Sequence, residues 1–313
     1  MELQEIDCPV CNSSRYRSEA YTKSQMSSAD DVFRFVRCLD CGLVYLNPVV
    51  PTQLIAAYYS EHYLPYHGAG VWGKYSRFVT RAQKELDRKR VNQVRKLAKL
   101  GPQSRVLDVG CGRPSFLACL QQQTGCEAWG LDFKATGWEH QKKYRHVKLL
   151  EGEVKDLPAQ LPFDLITMWH YLEHDYHPVA TLRRLQQASH PHTLLFVEVP
   201  DEAGATRKLQ GRHWAGYHTP RHISLFSRKT LRQVAAQSGW QECAYFPNGT
   251  LSPYILWWLG HMEKKGIDWS GSLEPQVLSF LAGYALSAPL IWLARPFLPM
   301  GVQLAVFKKG QAS

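Results

Sequence analysis

The amino terminus carries no apolar run and no small-residue cleavage site, so no secretory signal is expected. The eight cysteines are therefore expected in a reducing compartment, where metal binding prevails over disulfides. The chain has no phosphate-cradling P-loop and no serine nucleophile elbow. It also lacks the third glycine of a dinucleotide fingerprint, since Ser115 stands where that pattern requires glycine. Acids are in deficit, 27 Asp and Glu against 37 Lys and Arg, giving a formal net charge of +10. That balance suits nucleic acid, an acidic membrane surface or a phosphorylated substrate, and equally plain solubility.

What is present centres on Val106-Leu107-Asp108-Val109-Gly110-Cys111-Gly112-Arg113-Pro114-Ser115-Phe116-Leu117. Val106 and Leu107 read as a buried strand, and Phe116, Leu117 and Leu120 as one apolar helix face. Gly110 and Gly112 let the backbone approach a ligand where a Cβ would collide. The helix start beyond them favours negative charge. From Ser104 onward strands and helices alternate, which predicts a parallel sheet covered on both faces. The chain, 313 residues long, accommodates one full α/β domain and a smaller one.

Ahead of this core stand Cys8-Pro-Val-Cys11 and Cys38-Leu-Asp-Cys41. Two such knuckles make a tetrahedral four-thiolate zinc site, structural because no coordination position stays open. Residues 1–48 form this expected zinc-ribbon module, with an alternating strand at Phe33–Arg37. Residues 49–100 hold an aromatic segment (Tyr58, Tyr59, Tyr63, Tyr66, Trp72) and a basic amphipathic helix from Ser76 to Leu100, with Phe78, Leu86, Val91, Val94, Leu97 and Leu100 as its apolar stripe.

Asp132, at the tip of the second expected strand, can accept both hydroxyls of a ribose. Four histidines, His170, His174, His218 and His222, follow strand ends on expected loops. Each can serve as a proton acceptor near neutral pH, and Glu173 can orient one of them. No recognised metal-ligand spacing connects these histidines with Asp175 and His177.

The Asp108-x-Gly110-x-Gly112 turn, the segment Phe163-Asp-Leu-Ile-Thr-Met-Trp-His-Tyr-Leu-Glu-His174 and the later Thr193-Leu-Leu-Phe-Val-Glu-Val-Pro200 together resemble class I S-adenosylmethionine-dependent methyltransferases of type 23. Trp214-Ala-Gly-Tyr-His-Thr-Pro-Arg-His-Ile-Ser-Leu-Phe-Ser227 extends the likeness, which covers roughly residues 104–247. Pro114 departs from it, occupying the place of a usual third glycine. The resemblance implies a Rossmann-like, doubly wound α/β sheet of seven strands in residues 101–250, closed by a last strand in 301–313. It implies that Asp108, Gly110, Gly112, Asp132, Phe133, Glu153, Val154 and Trp169 bind S-adenosylmethionine, with Glu153 accepting from the adenine amino group and Asp156 second to it. No Asn-Pro-Pro-aromatic sequence follows the fourth strand, which argues against methylation of base amino groups.

The expected reaction is methyl transfer to a hydroxyl, or a carbon, of a sugar, a lipid-linked glycan or a related small molecule. An RNA acceptor, suggested by the zinc ribbon and basic helix, and a non-catalytic scaffold, suggested by Pro114, are the alternatives. Residues 251–300 form an insertion with two apolar runs and Trp257, Trp258, Trp269 and Trp292. It is expected to lie as a pair of helices in a membrane surface, placing a cytoplasmic protein on the inner leaflet. A lid, a subunit interface and a membrane-spanning helix are its other readings.

Overall fold

The computed structural model describes residues 2–310 except 28, 60–69, 134–137, 139, 159–161, 268, 270 and 271. Tyr63 and Tyr66 lie outside the described residues. Eleven strands are described: β1 (Tyr16–Lys23), β2 (Val32–Cys38), β3 (Val44–Leu46), β4 (Arg105–Val109), β5 (Glu127–Asp132), β6 (Lys148–Glu151), β7 (Phe163–Trp169), β8 (Ser189–Pro200), β9 (Ser224–Leu225), β10 (Trp240–Phe246) and β11 (Val302–Lys309). The larger sheet has the order β10-β11-β8-β7-β4-β5-β6. β6, β5, β4, β7 and β8 run parallel, while β11 is antiparallel to both neighbours. This is the seven-stranded Rossmann-like sheet that the resemblance implies, and its five parallel strands are those expected from the alternation of strands and helices.

The parallel strands read as near-continuous apolar runs because both faces are covered. Val106, Leu107, Val109, Leu165, Ile166, Met168, Leu195 and Val197 are fully buried. Two apolar layers result. One packs β4 and β7 against α3 (Pro178–Gln187) and α5 (Arg228–Gln237), through Leu182, Leu185, Leu231 and Val234. The other packs them against α1 (Ser76–Arg95) and α2 (Ser115–Thr124), through Val91, Val94, Phe116, Leu117 and Leu120. Phe78 and Leu97, expected in the α1 stripe, are exposed, and the helix stops at Arg95. The buried face of α1 includes a carboxylate, Asp87, beside Val91 and Val94.

The amino-terminal module is joined to the core rather than tethered to it. Its sheet, β1-β2-β3-β9, is completed by residues 224–225 of the core, with Val44 opposite Leu225 and Tyr45 opposite Ser224. Phe35, Val44, Leu46 and Val49 share an apolar cluster with Trp214, Tyr217 and Ile223. A ring of alternating charge closes the same seam. Arg37 pairs with Glu19 (2.7 Å) and Glu202 (2.5 Å), and Arg207 pairs with both acids at 2.8 Å.

Between β10 and β11 the chain inserts α6 (Pro253–Lys265) and α7 (Val277–Ala294). The two helices differ in burial. α6 hides Tyr254, Leu256, Trp258 and Met262, and Trp258 and Trp269 sit in one small core with Leu273. Among the described residues of α7 only Val277 is buried. The expected pair of surface helices is therefore one covered helix and one bare one.

Candidate active site

The tips of β4, β5, β7 and β8 gather the residues that sequence reasoning selected, at the carboxyl edge where open α/β sheets bind ligands. Gly110 and Gly112 take φ of +70° and +46°, values that favour glycine. A Cβ on Gly110 would lie 2.5 Å from the Tyr171 ring, whereas nothing stands within 4 Å of the same point at Gly112. The turn thus keeps an open cradle beside Gly112. The Gly112 amide donates to Asp132 Oδ2 at 2.8 Å, which fixes one face of the Asp132 carboxylate across the cradle. Asp108 is buried and accepts from Thr167 Oγ1 at 2.7 Å. Burial raises its carboxyl to about 7, despite that bond and the Arg90 charge.

Around this cradle the two candidate adenine-side acids divide the work. Asp156 Oδ2 accepts from the Glu153 amide (2.9 Å), capping the short turn Val154–Asp156. Glu153 is exposed; its carboxylate pairs with Lys155 at 2.8 Å and accepts from the Asp156 amide, completing the cap of the same turn. Val154 is buried beneath it and Phe133 is 55% exposed. Trp169 is buried, edge-on to Phe116 (5.3 Å) and under the Arg90 guanidinium (4.8 Å). These residues fit S-adenosylmethionine: a glycine cradle, the Asp132 carboxylate across it and an exposed acid, Glu153, beyond.

The four histidines fall into two groups. His170 takes φ of +59° at the end of β7. Its Nδ1 lies 3.2 Å from Glu173 Oε1, and its Nε2 lies 3.2 Å from Glu198 Oε1; both glutamates are fully buried. Burial works against its charge, but the two carboxylates prevail and hold the imidazole at about 9. His170 is thus a cation clasped by two acids. Burial would raise Glu198, yet His170, Arg90 and the Thr250 amide pull it down to about 2. Glu173 orients His170, as expected for one of the histidines.

His174, His218 and His222 pack edge to face and are all held toward the neutral form by burial. Arg221 Nε donates to His218 Nε2 at 3.0 Å. His218 Nδ1 then carries the hydrogen and faces His222 Nε2 at 3.3 Å, and His222 Nδ1 donates to the Gly216 carbonyl at 2.8 Å. His174 Nδ1 lies 3.1 Å from the Arg221 carbonyl and 3.1 Å from Tyr59 Oη. Donation to the carbonyl leaves the lone pair of His174 on Nε2. One ring nitrogen of each of the three histidines falls within 4.8 Å of the others. An ion there would need the His218 Nδ1 hydrogen removed, and Arg221, a permanent donor, holds that tautomer in place. The cluster is a hydrogen-bond relay.

The amino-terminal module builds the back of this relay. Arg221 Nη1 donates to the Tyr58 carbonyl at 2.7 Å and Nη2 to the Gln25 carbonyl. The Gln25 amide in turn reaches the Thr219 carbonyl at 2.9 Å. Tyr59 stacks edge-on between Phe133 (5.7 Å) and His174 (6.3 Å), linking the cradle to the histidines. Sequence reasoning missed Arg90, Glu198 and Thr250. The signal for Glu198 was a lone acid in the apolar run Leu194–Pro200; nothing local marked the other two.

Cys8, Cys11, Cys38 and Cys41 come together as expected, with all four Sγ atoms within 4.8 Å of one another. Cys8 and Cys41, and Cys11 and Cys38, approach to 3.5 Å. Tetrahedral thiolates about 2.3 Å from zinc stand slightly farther apart than that, so the set fits the ion with a small expansion.

Residues 75–243 match the model of a family described as a methyltransferase domain. No curated protein matches the chain. Among solved structures, the Burkholderia thailandensis 1,6-didemethyltoxoflavin N1-methyltransferase, with bound 1,6-didemethyltoxoflavin and S-adenosylhomocysteine, is 14% identical with a TM-score of 0.53, covering 87% of this chain and 98% of that one. The magnesium protoporphyrin IX methyltransferase of Synechocystis PCC 6803 is 14% identical with a TM-score of 0.48, covering 63% and 92%.

Proposed function

The chain belongs to the methyltransferase family that its residues 75–243 match, and on that premise we propose that it transfers a methyl group from S-adenosylmethionine to a hydroxyl, or a carbon, of a sugar or lipid-linked glycan. The cofactor, when bound, supplies an electrophilic methyl on a sulfonium. Asp132 binds the ribose hydroxyls, Glu153 accepts from the adenine amino group, Gly110 and Gly112 admit the chain of the methionine part, and the Asp108 carboxylate faces its charge. Phe133 and Tyr59 flank the acceptor side.

The single observation that carries the acid–base part is the 3.1 Å contact between His174 Nδ1 and the Arg221 carbonyl, which assigns the ring hydrogen to Nδ1. Its Nδ1 hydrogen is committed to the Arg221 carbonyl, and burial keeps the ring neutral, so Nε2 is a lone pair ready for a proton. With an acceptor hydroxyl seated there, His174 Nε2 would take its proton as the methyl is transferred. His222 and His218 hold Arg221, and hence that carbonyl, in register. His170 stays protonated and fixes the Glu173 and Glu198 carboxylates, so it braces the strand tips instead of accepting the proton.

The exposed apolar helix α7 supports a lipid-linked acceptor. Incubation with methyl-labelled cofactor and separate lipid, nucleotide-sugar and RNA extracts tests the reading. Label in the lipid or sugar fraction is expected; label in RNA alone would replace the acceptor class, and no label with tight cofactor binding would favour the scaffold. His174→Gln is expected to lower kcat by roughly a hundredfold or more at unchanged cofactor affinity.

A further inference from the structure

The insertion leaves two features side by side that the methyl-transfer site does not use. The first is the bare helix α7. Leu286 is 79% exposed, Trp292 75% and Phe297, just beyond the helix, 83%, with Leu278, Leu290 and Leu293 also exposed. Glu274–Ala294 is long and apolar enough to cross a membrane by length and composition, with almost none of it covered by the protein. The second is a cavity of about 560 Å³ between α7, the carboxyl-terminal half of α1 and the segment after β10. Its wall on one side is apolar, formed by Tyr284, Ala288, Ile291 and Trp292 of α7. The opposite wall carries Lys89 and Lys96, and Arg295 closes one end; no carboxylate lines the cavity. Lys89 and Lys96 make no ion pair among the described residues. Among the described residues, the Arg295 guanidinium donates only to the Asn248 and Gly249 carbonyls.

We infer that this cavity seats the phosphate headgroup of a membrane lipid whose hydrocarbon chain lies along α7. Three cations without a carboxylate favour an anion of more than one charge, and Lys and Arg donors suit phosphate oxygens. The apolar wall continues outward into the exposed face of α7, so headgroup and tail find complementary surfaces in one direction. A free anion would use the cations and leave six large apolar side chains in water, whereas a lipid uses both. The floor of the cavity connects to the reaction site. Thr250, which lines it, bonds Glu198 through its hydroxyl (2.9 Å) and its amide, and Glu198 clasps His170. A lipid phosphate seated here holds its attached group at the carboxyl edge of the large sheet. The inference deepens the acceptor reading above and rests on it only for what the lipid carries.

Vesicle flotation of the full chain tests it, with phosphatidylcholine alone or doped with equal fractions of phosphatidic acid or phosphatidylserine. The wild type is expected to float with phosphatidic acid in preference to phosphatidylserine, and least with phosphatidylcholine. The K89A/K96A/R295A variant should lose roughly a hundredfold in partition onto phosphatidic acid. The L286E/W292E variant should stay in the soluble fraction with every vesicle. Both variants should bind S-adenosylmethionine like the wild type, which shows that they fold. A wild type that stays soluble with phosphatidic acid overturns the proposal. So does flotation indifferent to lipid and to the triple substitution, which would leave apolar insertion without a phosphate seat. A concentration-dependent dimer abolished by L286E/W292E, without flotation, would overturn it in favour of a second copy. Vesicle binding without cofactor affinity would instead sink the methyl-transfer reading and leave this one standing.

Discussion

At the scale of single residues, His170 shows how burial and charge oppose each other. A buried imidazole should be neutral, but Glu173 and Glu198 hold it charged with a value of about 9. Because the folded value lies above the unfolded one of about 6.5, the stability it contributes is fully present below pH ~6.5. That stability is lost as the pH rises through about 9. His170→Gln leaves two buried carboxylates without their cation, so denaturant unfolding should show a loss of about 3–5 kcal/mol at neutral pH. Its unfolding free energy should then change little between neutral pH and pH ~9.5, a range in which the wild type weakens. Asp108 has the same sign in a lower window. Burial lifts it to about 7, above its unfolded value of about 3.9, so its protonated form favours folding and stability falls as the pH rises from about 4 to about 7 and the carboxylate appears. If it faces the cationic end of S-adenosylmethionine, affinity measured by calorimetry should rise through pH ~7 and then level, and Asp108→Asn should remove that rise. Asp132→Ala, which deletes the proposed ribose acceptor, should weaken the cofactor by about 2 kcal/mol.

At the scale of elements, the two cysteine knuckles and β9 are coupled through one short strand. β2 runs directly into Cys38, β3 follows Cys41, and β3 pairs with residues 224–225. Purified protein should carry one zinc per chain. Cys38→Ser should lose it and also lower kcat, because Arg221 hangs between Gln25 of the module and the histidines. Metal content by mass spectrometry and turnover at saturating cofactor check the two outcomes. Much of this was legible beforehand. The apolar runs at Val106–Val109 and Phe163–Trp169 and the cysteine spacing each state a local requirement, and local requirements survive folding. The pairing of β3 with β9 was not legible, since a period-2 pattern names a face but not the sheet edge that will receive it. Only half of the clasp on His170 was legible: Glu173, three residues on, was named as a partner for one of the histidines, but Glu198 comes from a strand beyond an intervening helix and no spacing announces it. The tryptophans of the insertion misled for a related reason. Trp258 and Trp269 have the composition of interface anchors, but Tyr254, Met262 and Leu273 bury them.

At the scale of the whole molecule, the two sheets share core as well as backbone pairs. Cys8, Val36 and Tyr45 belong to the same apolar cluster as Leu172 and Phe226. Deleting residues 1–48 should therefore not release a working methyltransferase unit; the remainder should be insoluble or molten, with ANS binding and without near-ultraviolet circular dichroism. The ring of Glu19, Arg37, Glu202 and Arg207 makes the same point in charge, since each acid contacts a base from the other side of the seam. The shared sheet also has a consequence in time. On the ribosome the four thiols can close on zinc soon after Cys41 emerges, but the free edge of β3 waits for residues 224–225. At about 5–20 residues per second that wait lasts roughly 10–40 s. Throughout it an unpaired strand edge is open to any neighbouring nascent chain. If zinc fixes β2 and β3 before that edge is paired, zinc starvation should appear first as aggregates of new chains while finished molecules keep their shape.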